Sequence, residues 1–408
     1  MRLLLSHPTG SQFVRQALQA FDEHGLLTEY WTTIARGESS LLDAFVPKGI
    51  LAELKRRSYS PQILEKTKSR SSKEAIRLAM NRLRSSWLTK HEVGRFSVDS
   101  VYRDLDQCVA RRLRCRVADA IYAYEDGALE SFRVAQEEGV DRLYELPIGH
   151  WRLARIVFSE EAERWPQWAQ TLEGLNDSVE KLERKDEEAH LATKIIVPSQ
   201  FVAESLSDCP GVTASTYVVN YGCPAPVSSL SDSSRGPLRV LFVGSLGARK
   251  GLQYALEAVK NLDVELTLIG PRPNADCRPV NSAVEQHRYL GSIPRVQVLE
   301  EMSRHHIFLF PTLFEGLANV LLEALSQGLL PITTLNSGIG GIIRDGCEGF
   351  IVPIRDVETI RERLVQLDKD RELLESMRMA AVIKAAEHSW DRYRTNLVCK
   401  VNPSYGGN

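Results

Sequence analysis

Short apolar runs and longer amphipathic stretches alternate along most of this chain. An apolar run bounded by Gly, Pro, Ser or Asn reads as a buried strand. A stretch with apolar residues three and four apart reads as a helix. In the first half this pattern predicts strands at 2–5, 29–33, 118–124, 142–146, 193–197 and 217–220, with a helix over 12–24. Residues 50–116 read as helical and basic, and residues 159–191 as long, charged and helical. A polar Ser/Gly/Pro segment, 228–237, has the character of a domain boundary. The alternation then restarts, with strands at 238–243, 265–269, 307–310, 330–333 and 349–352. Helices fit 251–261, 317–327, 357–367 and 372–387. The pattern predicts an α/β protein of two doubly wound domains facing each other across a cleft, 1–227 and 228–387.

Composition narrows the class. At 408 residues, 43% hydrophobic and 25% charged, the chain reads as a soluble globular protein with room for two domains. A net charge of −2 argues against nucleic-acid binding by the molecule as a whole. The charge is uneven, however: residues 55–116 carry 17 Lys and Arg against 6 Asp and Glu, a net of +11. The seven cysteines are scattered and never spaced C-x-x-C, which favours reduced thiols in a cytoplasmic protein over disulfides or a zinc site. The run MRLLLSHP is too short for a signal peptide and reads as a first strand. No apolar stretch approaches the length that crosses a membrane.

Two segments carry chemistry. In FEGLANVLLEAL, Glu315 falls in the turn after a buried strand, and Glu323 falls about two turns into the next helix. The crevice beyond the strand ends of an open parallel sheet is where ligands bind. A helix start offers free N–H groups and a positive dipole end to a diphosphate, and a carboxylate further along can accept both ribose hydroxyls. The second segment, VGSLGARKG, follows a strand and opens a helix, with Arg249 and Lys250 at the entrance. It reads as a diphosphate site or as a surface turn with solvated cations; Glu315 and Glu323 in the same half favour the first. Its spacing is not that of a Walker A loop.

The segments VGSLGARKG, FLFPTLFEGLANVLLEALSQGLLPITT, NSGIGGIIRDGCEGFIVPIRD and HSWDRY resemble the retaining GT-B glycosyltransferases of family 4, the glycosyl transferases group 1. SHPTGSQF, KIIVPSQFVAESL and VVNYGCP extend the resemblance into the first half. It implies the GT-B fold, with two Rossmann-like domains and residues 388–408 crossing back to the first. It also implies a nucleoside-diphosphate-sugar donor held mainly by the second domain, with UDP the commonest nucleotide and GDP next. No metal or other cofactor is expected.

Carried over by position, Lys250 would contact the diphosphate, Glu323 the ribose, and Glu315 with the backbone of Gly316 and Leu317 the donor sugar. Asn319 would approach the phosphates or the sugar. Ser245 stands where many members have an arginine, and Arg249 would supply that charge. His150 would face the sugar across the cleft or else be a surface-loop histidine, and the loop at Gly10 would bring backbone amides toward the phosphates or else be an ordinary strand–helix turn. Glu125 and Asp126 either bind acceptor hydroxyls or cap the following helix. Ser199 either caps a helix or has a role in the site. Trp390 would be a packing anchor. The catalytic set implied is Glu315, Lys250 and His150, with no general base assigned.

The expected acceptor is a hydroxyl of a saccharide or lipid-linked saccharide in bacterial polysaccharide or glycolipid assembly. The basic region 55–116 reads as a solvated face or as a dock for an anionic membrane surface, on a protein otherwise cytoplasmic. A nucleotide-sugar epimerase or phosphorylase on the same fold, or a catalytically silent sugar-nucleotide binder, are the competing readings.

Overall fold

The computed structural model describes residues 1–37, 57–83, 87–273, 276–402 and 405. The predicted strands arrange as two parallel sheets. The first contains β1 (Leu3–Ser6), β2 (Leu27–Thr32), β3 (Thr67–Ser69), β4 (Ala120–Tyr124), β5 (Asp141–Glu145), β6 (Lys194–Val197) and β7 (Ser215–Val218). Their order is β3-β2-β1-β4-β5-β6-β7. The second contains β8 (Leu238–Val243), β9 (Val264–Ile269), β10 (Arg288–Tyr289), β11 (Ile307–Phe310), β12 (Leu330–Thr334) and β13 (Phe350–Val352), ordered β10-β9-β8-β11-β12-β13. Every residue of β1, β4, β11 and β12 is buried. That is the signature of parallel strands covered by helices on both faces, and it is why they read as unbroken apolar runs. The helix Gln12–Glu23 buries Val14, Ala17, Leu18 and Phe21, at the three- and four-residue spacing that its sequence displays.

Three expectations need correction. The stretch 159–191 is not one helix: Trp151–Arg164 ends before Pro166, two 3₁₀ segments follow, and Val179–Leu191 begins anew. The basic region is not wholly helical. It contributes the edge strand β3 between short helices, and its parts at 50–56 and 84–86 lie outside the described residues. The helix after Glu315 runs only from Asn319 to Ser326, so Glu323 is little more than one turn in, about 6 Å along the axis from Asn319.

In each sheet the strand order reverses beside the first strand, between β1 and β4 and between β8 and β11. The loops leaving β8 and β11 therefore lie at the switch point where such sheets bind ligands. The final helix, Trp390–Val401, is capped by Ser389 and returns to the first domain. There Arg394 donates to Gln16 at 2.6 Å, and Val401 accepts from Lys194 at 3.1 Å. No helix among the described residues is long and apolar enough to cross a membrane.

Candidate functional site

The loops after β8 and β11 meet in backbone contact. Gly251 takes a φ of +75°, and a Cβ there would fall 1.9 Å from the Pro311 carbonyl oxygen, so only glycine fits. Arg249's carbonyl accepts from the Leu313 amide at 2.9 Å and from the Thr312 hydroxyl at 2.9 Å. This locked pair of loops brings Arg249 and Lys250 onto the carboxylate of Glu315. Arg249 Nη1 donates to Glu315 Oε1 at 2.7 Å, and Lys250 Nζ bonds the same oxygen. The Lys250 ammonium also lies 5.3 Å from the Phe310 ring centroid.

Burial pushes the Glu315 carboxyl up, but the two cations outweigh it and hold the group below its ordinary range. Lys250 is displaced downward, by burial first and by Arg249 second, against the pull of Glu315. The cluster is thus an ionised carboxylate beneath two cations in a partly dry site.

A cavity of about 460 Å³ opens above this cluster, walled by both domains. Ser245, Arg249, Lys250 and residues 315–320 line one side; Phe13, Ile148 and Tyr221 line the other. Phe13 and Tyr221 are stacked, with ring centroids 5.1 Å apart. The domains touch closely here. A Cβ on Gly316 would fall 1.8 Å from the Pro147 carbonyl oxygen, and the carbonyls of Glu315 and Gly316 accept from the Gly149 amide at 3.3 Å and the Ser199 hydroxyl at 2.6 Å. With the carbonyls committed to the first domain, the amides of Gly316, Leu317, Asn319 and Val320 have no acceptor among the described residues. The buried Asn319 Oδ1 has no partner there either. Free amides at a helix start, beside two cations, form a cradle for an anion.

Glu323 sits outside the cavity lining and accepts from Arg295 Nε at 2.6 Å. Burial raises its carboxyl, and Arg295 only partly offsets that. A ligand that engages Glu323 therefore competes with Arg295.

The first-domain expectations fare differently. His150 does not face the cleft. It is 1% exposed at the start of the helix Trp151–Arg164, and its ring turns back toward Asp186 and Trp151. Glu125 and Asp126 are likewise drawn away, into an ion network with Lys185, Lys181 and Arg184 from the helix Val179–Leu191. Gly10 forms a turn of φ +65°, and its amide donates to His7 Nδ1 at 2.9 Å rather than standing free. Ser199 caps its helix through the Val202 amide, and its hydroxyl also donates to the Gly316 carbonyl.

The aromatic wall of Phe13 and Tyr221 and the Arg295 partner carried no local signal. Each acts through a contact between residues distant in sequence. The described part of the basic region is partly neutralised, with Arg57 on Glu74, Arg70 on Asp104, Lys66 on Asp22 and Arg112 on Glu29.

Residues 237–370 match the family model described as glycosyl transferases group 1. The chain is 27% identical over 199 residues to the putative colanic acid biosynthesis glycosyltransferase WcaL of Escherichia coli, covering 42% of this chain and 45% of that protein. It is 23% identical over 287 residues to the phosphatidyl-myo-inositol mannosyltransferase of Mycobacterium leprae, covering 68% and 65%. The matched part thus spans less than half of WcaL. Among solved structures, sucrose-phosphate synthase from Thermosynechococcus elongatus superposes over 100% of both chains, with a TM-score of 0.71 at 14% identity. Anabaena HepE in complex with UDP and glucose superposes over 99% of this chain and 100% of that one, with a TM-score of 0.63 at 12% identity. The second domain, residues 237–370, thus matches the glycosyl transferases group 1, and the chain as a whole has the GT-B fold of the solved structures on which it superposes.

Proposed function

We propose that this protein transfers a sugar from a nucleoside diphosphate sugar, UDP-linked first and GDP-linked second, to a hydroxyl of a saccharide or lipid-linked saccharide. The observation that carries this reading is the pair of cations on Glu315 beside free amides, inside a cavity walled by both domains. The departing diphosphate would draw Lys250 and Arg249 from Glu315 and occupy the amides, so charge is stabilised where it develops. Glu315 would position the sugar, and Glu323, released from Arg295, would take the ribose hydroxyls. The acceptor would attack from the leaving-group face with retention, and the leaving phosphate would take its proton, so no enzymic base is needed.

Support for the setting comes from relatives named for colanic acid and amylovoran biosynthesis. Support for the donor comes from HepE, solved with UDP-glucose. The test is thermal stability against UDP-, GDP-, ADP- and dTDP-linked sugars, beside Glu323→Ala. A ligand at 100 times its Kd adds about 2.7 kcal/mol. Stabilisation by one base that is lost in the variant is the expected result; no response to any of the four sinks the donor assignment.

The same reading puts the protein at the cytoplasmic face of a membrane. Leu83, Trp87 and Val93 are 71%, 74% and 76% exposed, and Lys68, Arg82, Lys90 and Arg95 of the same basic region make no ion pair among the described residues. Exposed apolar side chains in a cation-rich region suit an anionic bilayer. Co-sedimentation with phosphatidylglycerol vesicles, weakened by salt and by Trp87→Ser, is expected; equal recovery with neutral vesicles would exclude it.

A further inference from the structure

Three potential metal ligands meet behind the cleft wall, outside the site just described. His150 precedes the helix Trp151–Arg164, Asp186 lies within Val179–Leu191, and Cys209 follows the turn Leu206–Asp208. His150 Nε2 stands 3.2 Å from Asp186 Oδ1, and Cys209 Sγ stands 3.7 Å from the same oxygen. All three ligand atoms lie within 4.8 Å of one another. Tetrahedral zinc, with bonds of about 2.0–2.1 Å to N and O and about 2.3 Å to S, sets N and O about 3.3 Å apart and S and O about 3.5 Å apart. The observed separations are close to those edges.

A second, independent observation concerns the imidazole. His150 is 1% exposed, yet neither ring nitrogen makes a hydrogen bond; the approach of Nε2 to Asp186 is close but misaligned for one. A buried polar side chain without a partner costs about 1–3 kcal/mol and calls for a ligand. We propose that His150, Asp186 and Cys209 bind a divalent cation of the zinc class. Imidazole, carboxylate and thiolate together are a borderline-to-soft donor set, which selects zinc over magnesium or calcium.

The surroundings suit that role. The indole N–H of Trp151 donates to Asp186 Oδ1 at 2.7 Å, and Arg152 donates to Oδ2 at 2.5 Å, so the carboxylate is oriented from outside the ligand set. On binding, the Cys209 thiol gives its proton to solvent as the sulfur–metal bond forms. One proton leaves per ion, and no electron is transferred.

The ligands come from three separate elements, which is why C-x-x-C spacing is absent. The ion would clamp these elements together directly behind residues 147–149, the strip that abuts Glu315 and Gly316. The role is structural and independent of the donor chemistry.

The test uses the full chain purified without chelator, with metal content measured and the chelated protein then reloaded with Co²⁺. One equivalent of zinc or cobalt and a thiolate-to-cobalt charge-transfer absorption are expected. Cys209→Ser should abolish the absorption, and Cys115→Ser, at an exposed cysteine, should retain it. Trp151→Phe should weaken binding about tenfold or more through loss of the outer hydrogen bond. Wild-type protein that takes up neither ion, or that binds cobalt without the thiolate band, overturns the proposal. That readout stands even where Cys209→Ser fails to fold.

Discussion

Two buried glutamates, one in each domain, teach opposite lessons. Glu315 lies beneath Arg249 and Lys250, and those cations hold it ionised despite its burial. Glu145, at the end of β5, has only phenols for company: Tyr122 donates to it at 2.5 Å and Tyr221 at 2.9 Å. Burial pushes its carboxyl up to about 7, and the tyrosines only partly restrain that. The first arrangement stores charge that a ligand can recruit. The second keeps a carboxyl near neutrality, where it ties the aromatic wall to the sheet. Burial alone does not make a carboxylate functional; the sign of its neighbours does.

The largest expected effect comes from removing charge on the first side. Lys250→Ala should lower transfer about 10²–10³-fold, as loss of one preorganised stabilising group does, while circular dichroism stays unchanged because Arg249 still pairs with Glu315. Unchanged transfer with intact fold would favour a silent binding protein.

The second prediction concerns pH. A carboxyl raised from its usual range to about 7 adds stability that is complete below about pH 4.5 and is lost as pH rises through 7. The loss amounts to about 3 kcal/mol, since each tenfold change in proton affinity is worth about 1.4 kcal/mol. Urea unfolding at pH 5 and pH 7.5 should show this slope in the wild type and a flatter one in Glu145→Gln; equal slopes would refute the tyrosine-cage account. Glu315 carries the opposite sign, since its lowered range adds stability that is lost as pH falls.

The smallest effect is expected at the domain contact. Ser199→Ala removes a helix cap and the hydroxyl on Gly316, costing about 1–2 kcal/mol of unfolding free energy. A loss below a few tenths would show that the contact is incidental.

How far the molecule was legible differs between its halves. In the second domain, β8 and β11 fall where their apolar runs lie, because buried parallel strands are apolar along nearly all their length. The cations and carboxylate of the cluster sit in loops directly attached to those strands, so local sequence located them. In the first domain the same reasoning found the strands but misplaced His150, Glu125 and Asp126. All three are pulled aside by Val179–Leu191, a helix some 30 to 60 residues further along the chain. The three-residue β3 was too short and too polar to announce itself.

Sequence by itself determined the alternation of strands and helices, the two-domain α/β plan, and the presence of Arg249, Lys250 and Glu315 at strand ends. These follow from local periodicity and from residues adjacent in the chain. Tertiary structure alone decided that Arg295 occupies Glu323, that Phe13 and Tyr221 wall the cleft, that Ser199 fastens Gly316, and that His150 turns to Asp186 and Cys209. Each of those depends on which distant side chains arrive at one point when the sheets and helices pack, and no window of sequence contains that information.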